Sequence, residues 1–82
     1  MKELVEYIVK ALVDKPEDVS ISETKGESLT ILEIRVANDD IGKIIGKEGR
    51  IANAIRTVAK AAAAKQRQRV TVEILTREEE RR

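Results

Sequence analysis

Between residues 43 and 69 the chain carries Lys43, Lys47, Arg50, Arg56, Lys60, Lys65, Arg67 and Arg69 against a single acid, Glu48. Inside that stretch, "IIGKEGR" sets Gly46 and Gly49 three residues apart, with only Lys47 and Glu48 between them. Without side chains, glycines let the backbone of another molecule come close. A helix beginning just after them, around Gly49 to Ala52, presents main-chain amides that lack internal partners. Such an end attracts anions, phosphates among them. Lys47 and Arg50 add charge at the same place. The chemistry these residue types suit is holding a phosphate.

Chemistry of the bond-breaking kind finds no residues to carry it. The chain has no histidine and no cysteine, which removes the commonest general base, the commonest metal ligand and every thiolate site. Carboxylate pairs such as Asp39–Asp40 and the tail glutamates sit where helix capping or solvation accounts for them. We therefore expect no catalytic residues, no metal, no cofactor, no small-molecule substrate and no enzyme. A Walker loop needs four residues between its first glycine and its Gly-Lys pair, then Ser or Thr. Here Gly42 and Gly46 enclose three, and Glu48 stands where the hydroxyl belongs. The dinucleotide fingerprint is absent as well.

The elements that must hold this loop can be read from periodicity. Leu4, Val5, Ile8, Val9, Leu12 and Val13 lie on one stripe of a first helix, which Pro16 stops near Lys15. "DVSISET" and "LTILEIRVA" alternate as two strands joined by a turn at Gly26. The second is the more apolar, which predicts a central position in the sheet. Asp39 or Asp40 offers a cap for a second helix that buries Ile41, Ile44 and Ile45. A third helix runs from about Arg50 to Lys65, with Ile51, Ala54, Ile55, Val58 and Ala62 on its buried face. On that wheel Arg56 and Lys60 point away from the core, to solvent or to a partner. Ala52, Ala59 and Ala63 form a small-residue stripe that suits either plain helix propensity or a close contact between two copies. "RVTVEIL" closes the chain with a third strand, Val70, Val72 and Ile74 inward.

The order α-β-β-α-α-β predicts a two-layer α+β domain, a three-stranded mixed sheet covered on one face by three helices. The two helices between strands two and three allow a right-handed crossover and parallel pairing. Residues 1–77 are expected to form one domain and 78–82 a charged, frayed tail. Residues 1–42 carry five basic and ten acidic side chains, whereas residues 43–69 carry eight and one, so the surface is expected to be polarised. No apolar run reaches a spanning length and no leader is visible, so no membrane partner and a cytoplasmic location are expected.

"IGKIIGKEGRIANAIR", residues 41–56, resembles the core of a KH domain: an apolar pair, G-x-x-G, then isoleucine shortly after. The element order is similar to the type II arrangement, and the likeness to small stand-alone bacterial KH proteins of the KhpA type covers residues 2–77. That resemblance implies single-stranded RNA binding, with the GxxG loop clamping the backbone. Bases would then lie in a groove lined by aliphatic side chains of the two central helices and the adjacent strand. Carried onto this chain, the clamp is Gly46, Lys47, Glu48 and Gly49, flanked by Gly42, Lys43 and Arg50. Ile45, Ile51 and Ile34 or Val36 would form the groove or the core beneath it. The resemblance also implies a homodimer or a pairing with a larger KH protein of the KhpB type, a post-transcriptional regulator or RNA chaperone, and a link to cell shape or division.

Glu48 departs from what a phosphate clamp wants. If about 2–3 phosphates are neutralised, the log–log salt slope is roughly −1.4 to −2, which predicts weak binding by one copy. The low net charge keeps a second reading open, a KH-fold interaction or dimerisation module with little RNA affinity. A helix-turn-helix reader of duplex DNA is a third, and a short second helix argues against it.

Overall fold

Val13 leaves the first helix in an extended conformation, φ −97° and ψ 162°, and that departure shapes how the rest of the chain is tied together. The computed structural model describes residues 1–75. Helix α1 (Lys2–Leu12) carries Glu3 in its first turn and Lys10 in its last, complementing the helix dipole, and buries Val5 and Val9. It stops at Leu12, short of Lys15. The residue before a proline avoids the helical region, and the amides of Asp14 and Lys15 are taken instead by a carboxylate 25 to 26 residues away, Asp40. Pro16–Asp18 form a 3-10 turn that leads into the sheet.

Strands β1 (Ser20–Lys25) and β2 (Leu29–Arg35) pair antiparallel, Ser20 opposite Arg35 and Lys25 opposite Thr30. The Gly26 amide donates to the Leu29 carbonyl at 2.7 Å and closes their turn. Strand β3 (Arg69–Ile74) pairs parallel to β2, from Leu29–Arg69 to Ile34–Ile74. The order β1-β2-β3 makes β2 central, as its composition predicted, and leaves β3 as an edge. Alternation sends Ile21, Leu32, Ile34, Val70 and Val72 to one side of the sheet, where Val5, Val9, Ile44, Ile55, Ala59 and Ala63 of the helices meet them. This is the expected α+β arrangement. The tail predicted at 78–82 lies outside the described residues.

Two sequence expectations change. Helix α3 (Arg50–Lys65) buries Ala52, Ile55, Ala59 and Ala63, whereas Ala54 is exposed and Val58 is 40% exposed. The wheel is rotated from the predicted one because alanine carries only a Cβ, which lets α3 lie close on the sheet. The alanine stripe is therefore part of this domain's own core and is not a surface for another copy. Nor does either aspartate cap helix α2 (Ile41–Ile45) through its side chain. Asn38–Asp40 form a 3-10 turn, and Asp40 points back to the end of α1.

Candidate nucleic-acid interface

Helix α2 is five residues long, anchored by fully buried Ile44, and ends when the Gly46 amide donates to the Gly42 carbonyl at 2.9 Å. Gly46 then turns to φ 76°, ψ 175°, a region essentially reserved for glycine. A Cβ built there would stand 2.6 Å from Ile51 Cγ1. Residues Lys47–Gly49 make one 3-10 turn, closed by the Gly49 amide on the Gly46 carbonyl at 3.2 Å. Glu48 is left-handed at φ 57°, ψ 25°, and Gly49 at φ 76°, ψ 13°. A Cβ at Gly49 would meet nothing within 4 Å. Each glycine thus has its own backbone reason. Gly46 also lets the loop rest on Ile51, and Gly49 leaves its outer side open.

The 3-10 turn revises the inventory of donors. Gly49 and Arg50, expected to offer free amides, have theirs engaged by the carbonyls of Gly46 and Lys47. The amides of Lys47 and Glu48, one step earlier, open the turn and have no acceptor within it. Those two are what the loop can offer an anion.

The cations divide by partner. Lys43 lies 3.1 Å from Asp14 and 3.5 Å from Asp40. Its hydrogen bond and charge contact with Asp14, aided by Asp40, hold its ammonium above the ordinary lysine range despite partial burial. It faces the α1–β1 connection. Asp40 is 1% exposed; the Asp14 amide donates to Oδ1 at 3.2 Å and the Lys15 amide to Oδ2 at 3.0 Å. Burial pushes this carboxyl up, but the two amides and Lys43 outweigh it and hold it below the ordinary carboxylate range. Lys15 adds a 3.5 Å pair with Asp39. Asp40 therefore fastens the segment entering α2, and with it the loop, to the end of α1. Arg50 pairs with Glu48 at 3.5 Å. Lys47 is exposed and has no acidic partner among the described residues.

A groove runs between α3 and the edge strand β3. One part, of about 270 Å³, is lined by Arg56, Lys60, Val70, Thr71 and Val72. The adjoining part, of about 400 Å³, is lined by Leu29, Lys60, Gln68, Arg69, Val70 and Thr71. Gly49, Asn53, Arg56 and Lys60 follow one another at helical spacing from the loop along α3. The Arg56 Nε donates to the Val72 carbonyl at 3.3 Å and its Nη1 to Asn53 Oδ1 at 3.3 Å. A wheel centred on the Ile51, Ile55 and Val58 stripe turns Arg56 and Lys60 away from this groove. The 49-53-56-60 spacing was the available signal, once Ala59 is put at the centre of the buried face.

The apolar candidates separate too. Ile34 is fully buried in the core and has no surface to offer a base. Val36 lines a different concavity, with Lys15, Asp18, Ala37, Asn38, Asp39 and Leu75. Ile45 and Ile51 are half-buried on either side of the loop, Ile51 beneath Gly46. Gly42 is exposed in the first turn of α2. Among the described residues no cluster of metal-ligating side chains forms, and no helix is long and apolar enough to cross a membrane.

Comparison with known proteins adds an independent line. The KhpA/KhpB KH-domain family matches residues 2–74. The chain is 63% identical over 75 residues to the RNA-binding protein KhpA of Clostridium perfringens, covering 92% of this chain and 100% of that one. It is 56% identical over 75 residues to that of Caldanaerobacter subterraneus, with 92% and 100% covered. The protein of the same name from Borreliella burgdorferi is 58% identical over 73 residues, with 89% of each chain covered. No solved structure gives a significant match.

Proposed function

Because the chain belongs to the KhpA/KhpB KH-domain family, we propose that it is a non-catalytic, single-stranded RNA-binding protein whose grip is the loop Gly46–Gly49. The observation that carries this reading is the loop itself: a glycine-bounded turn that does not itself engage the Lys47 and Glu48 amides, exposed Lys47, and an open side at Gly49. The sugar–phosphate backbone crosses this turn, and the amides donate to its oxygens. Bases then pass Asn53 and enter the groove along Arg56 and Lys60, against Val70–Val72. A free single strand can follow that path; the stacked bases of a duplex cannot turn into it. The domain occupies residues 1–77, and the protein works in the cytoplasm as a post-transcriptional regulator or RNA chaperone.

One specific observation favours a second activity alongside the first. Tyr7 is 75% exposed, and Leu4, Leu12 and Val58 are also large apolar groups at the surface. These suit docking to a second copy or to a larger KH protein of the KhpB type, and two weak clamps on one assembly gain avidity.

The test replaces Lys47→Asp and Glu48→Asp together. Circular dichroism melts check folding, and binding to mixed-sequence single-stranded RNA is measured with duplex DNA as competitor at the same ionic strength. Lost RNA binding with retained self-association is expected. Retained RNA binding removes the loop as the site, and preference for the duplex removes the single-strand reading.

A further inference from the structure

Of the cations nearest the loop, Lys43 is committed to Asp14 and Asp40, while Arg50 among the described residues is held by Glu48 alone, two residues before it. The Glu48 Oε1 lies 3.5 Å from Arg50 Nη2, with the side chains 70% and 78% exposed. A carboxylate and a phosphodiester offer a guanidinium the same kind of charged oxygen acceptor. The Glu48 amide is also one of the two donors that the 3-10 turn does not itself engage, so the side chain sits on the same residue that an incoming phosphate would approach. We propose that Glu48 is an internal competitor for phosphate. Its carboxylate occupies Arg50 in the free protein, and an RNA strand gains the Arg50 contact only by displacing it.

The inference rests on the RNA-binding reading and goes beyond it, because it assigns Arg50 two exclusive partners and gives the acid in the loop a task. Being solvent-exposed, the pair is easily opened. Glu48 thus sets a modest, reversible handicap on the backbone grip and does not block it. That removes one cation from the sequence-independent share of binding and leaves proportionally more to the groove.

A double-mutant cycle tests it, using Glu48→Gln, Arg50→Gln and the double variant, with mixed-sequence single-stranded RNA titrated at several salt concentrations. Glu48→Gln is expected to tighten binding about 2- to 5-fold, the size of an exposed ion pair, and to steepen the salt slope by about 0.7, one added phosphate contact. In the Arg50→Gln background the gain from Glu48→Gln is expected to vanish. A gain that persists without Arg50 overturns the proposal, because simple repulsion of phosphate by Glu48 needs no arginine; so does no gain at all. Thermal melts of all three variants establish that folding is equal. If the parent does not bind RNA, the functional reading fails; if it binds and Glu48→Gln is neutral, only the competitor fails.

Discussion

Alanine placed at each of three glycines around the loop should give three different answers, and the ladder tests the loop geometry more sharply than any single variant. At Gly42 the backbone has no positive φ and a Cβ meets nothing within 4 Å, so Gly42→Ala should stabilise the domain by about 0.5–1 kcal/mol through helix propensity. At Gly49 the space is equally open but φ is 76°, and holding an L-residue in the left-handed region costs about 1–2 kcal/mol. At Gly46 two penalties combine. The φ of 76° with ψ of 175° costs roughly 1–3 kcal/mol for a residue with a side chain. The Cβ would also stand 2.6, 2.9 and 3.0 Å from three atoms of Ile51, and overpacking of that kind costs about 1–3 kcal/mol. Together these come to about 2–6 kcal/mol, a large share of the stability of a domain this size, about 4–12 kcal/mol. Urea denaturation followed by circular dichroism gives each value. The reasoning is refuted if Gly46→Ala is no worse than Gly49→Ala, or if Gly42→Ala destabilises.

The remaining predictions concern the charges and the core. Asp40→Asn should lower the melting temperature at pH 7, because its carboxylate no longer holds Lys43 and one of the two amides. The Asp40 carboxyl is depressed below its ordinary 3.8, so its contribution is complete above that value and is lost as pH falls through the lower folded-state value. Melts from pH 5 downward should therefore show an acid decline in the parent that is shallower in Asp40→Asn. The Lys43 ammonium is raised above 10.5, so its contribution is complete below 10.5 and is lost only as pH rises beyond that; melts at pH 7 to 9 should show no change traceable to it. In RNA titrations, Lys47→Gln should reduce the salt slope by about 0.7, whereas Lys43→Gln should leave it unchanged and lower the melting temperature instead. Ala59→Leu should destabilise by about 1–3 kcal/mol by overpacking against the sheet; Val58→Ala, half in solvent, should change the monomer by less than about 1 kcal/mol.

Much of the architecture was legible because it rests on local patterns. The alternation in "LTILEIRVA" and "RVTVEIL" marks strands whose pairing the helical crossover then dictates, and Gly26 marks the hairpin. What failed were features decided by distant partners. Asp40 reads as a cap from its neighbours, yet its carboxylate is taken by amides near residue 14, a contact no local window contains. For α3 the larger side chains, Ile51 and Val58, suggested the buried face, whereas closeness to the sheet selected Ala52, Ala59 and Ala63. The same quarter-turn rotation sets Arg56 and Lys60 beside β3. The GxxG loop was visible as spacing, but the 3-10 turn that engages the Gly49 and Arg50 amides was not. A three-residue turn has no periodicity to read.

The central claim is that a single strand of RNA is gripped at the Lys47 and Glu48 amides and led into the cleft between α3 and β3. Titrating ¹⁵N-labelled protein with a short mixed-sequence RNA, and following each amide by NMR, tests it residue by residue. The largest shifts should fall on Lys47, Glu48 and Gly49 and then along Asn53, Arg56, Lys60 and Thr71. Shifts confined to α1, or to the sheet face away from the helices, with the loop silent, would contradict it.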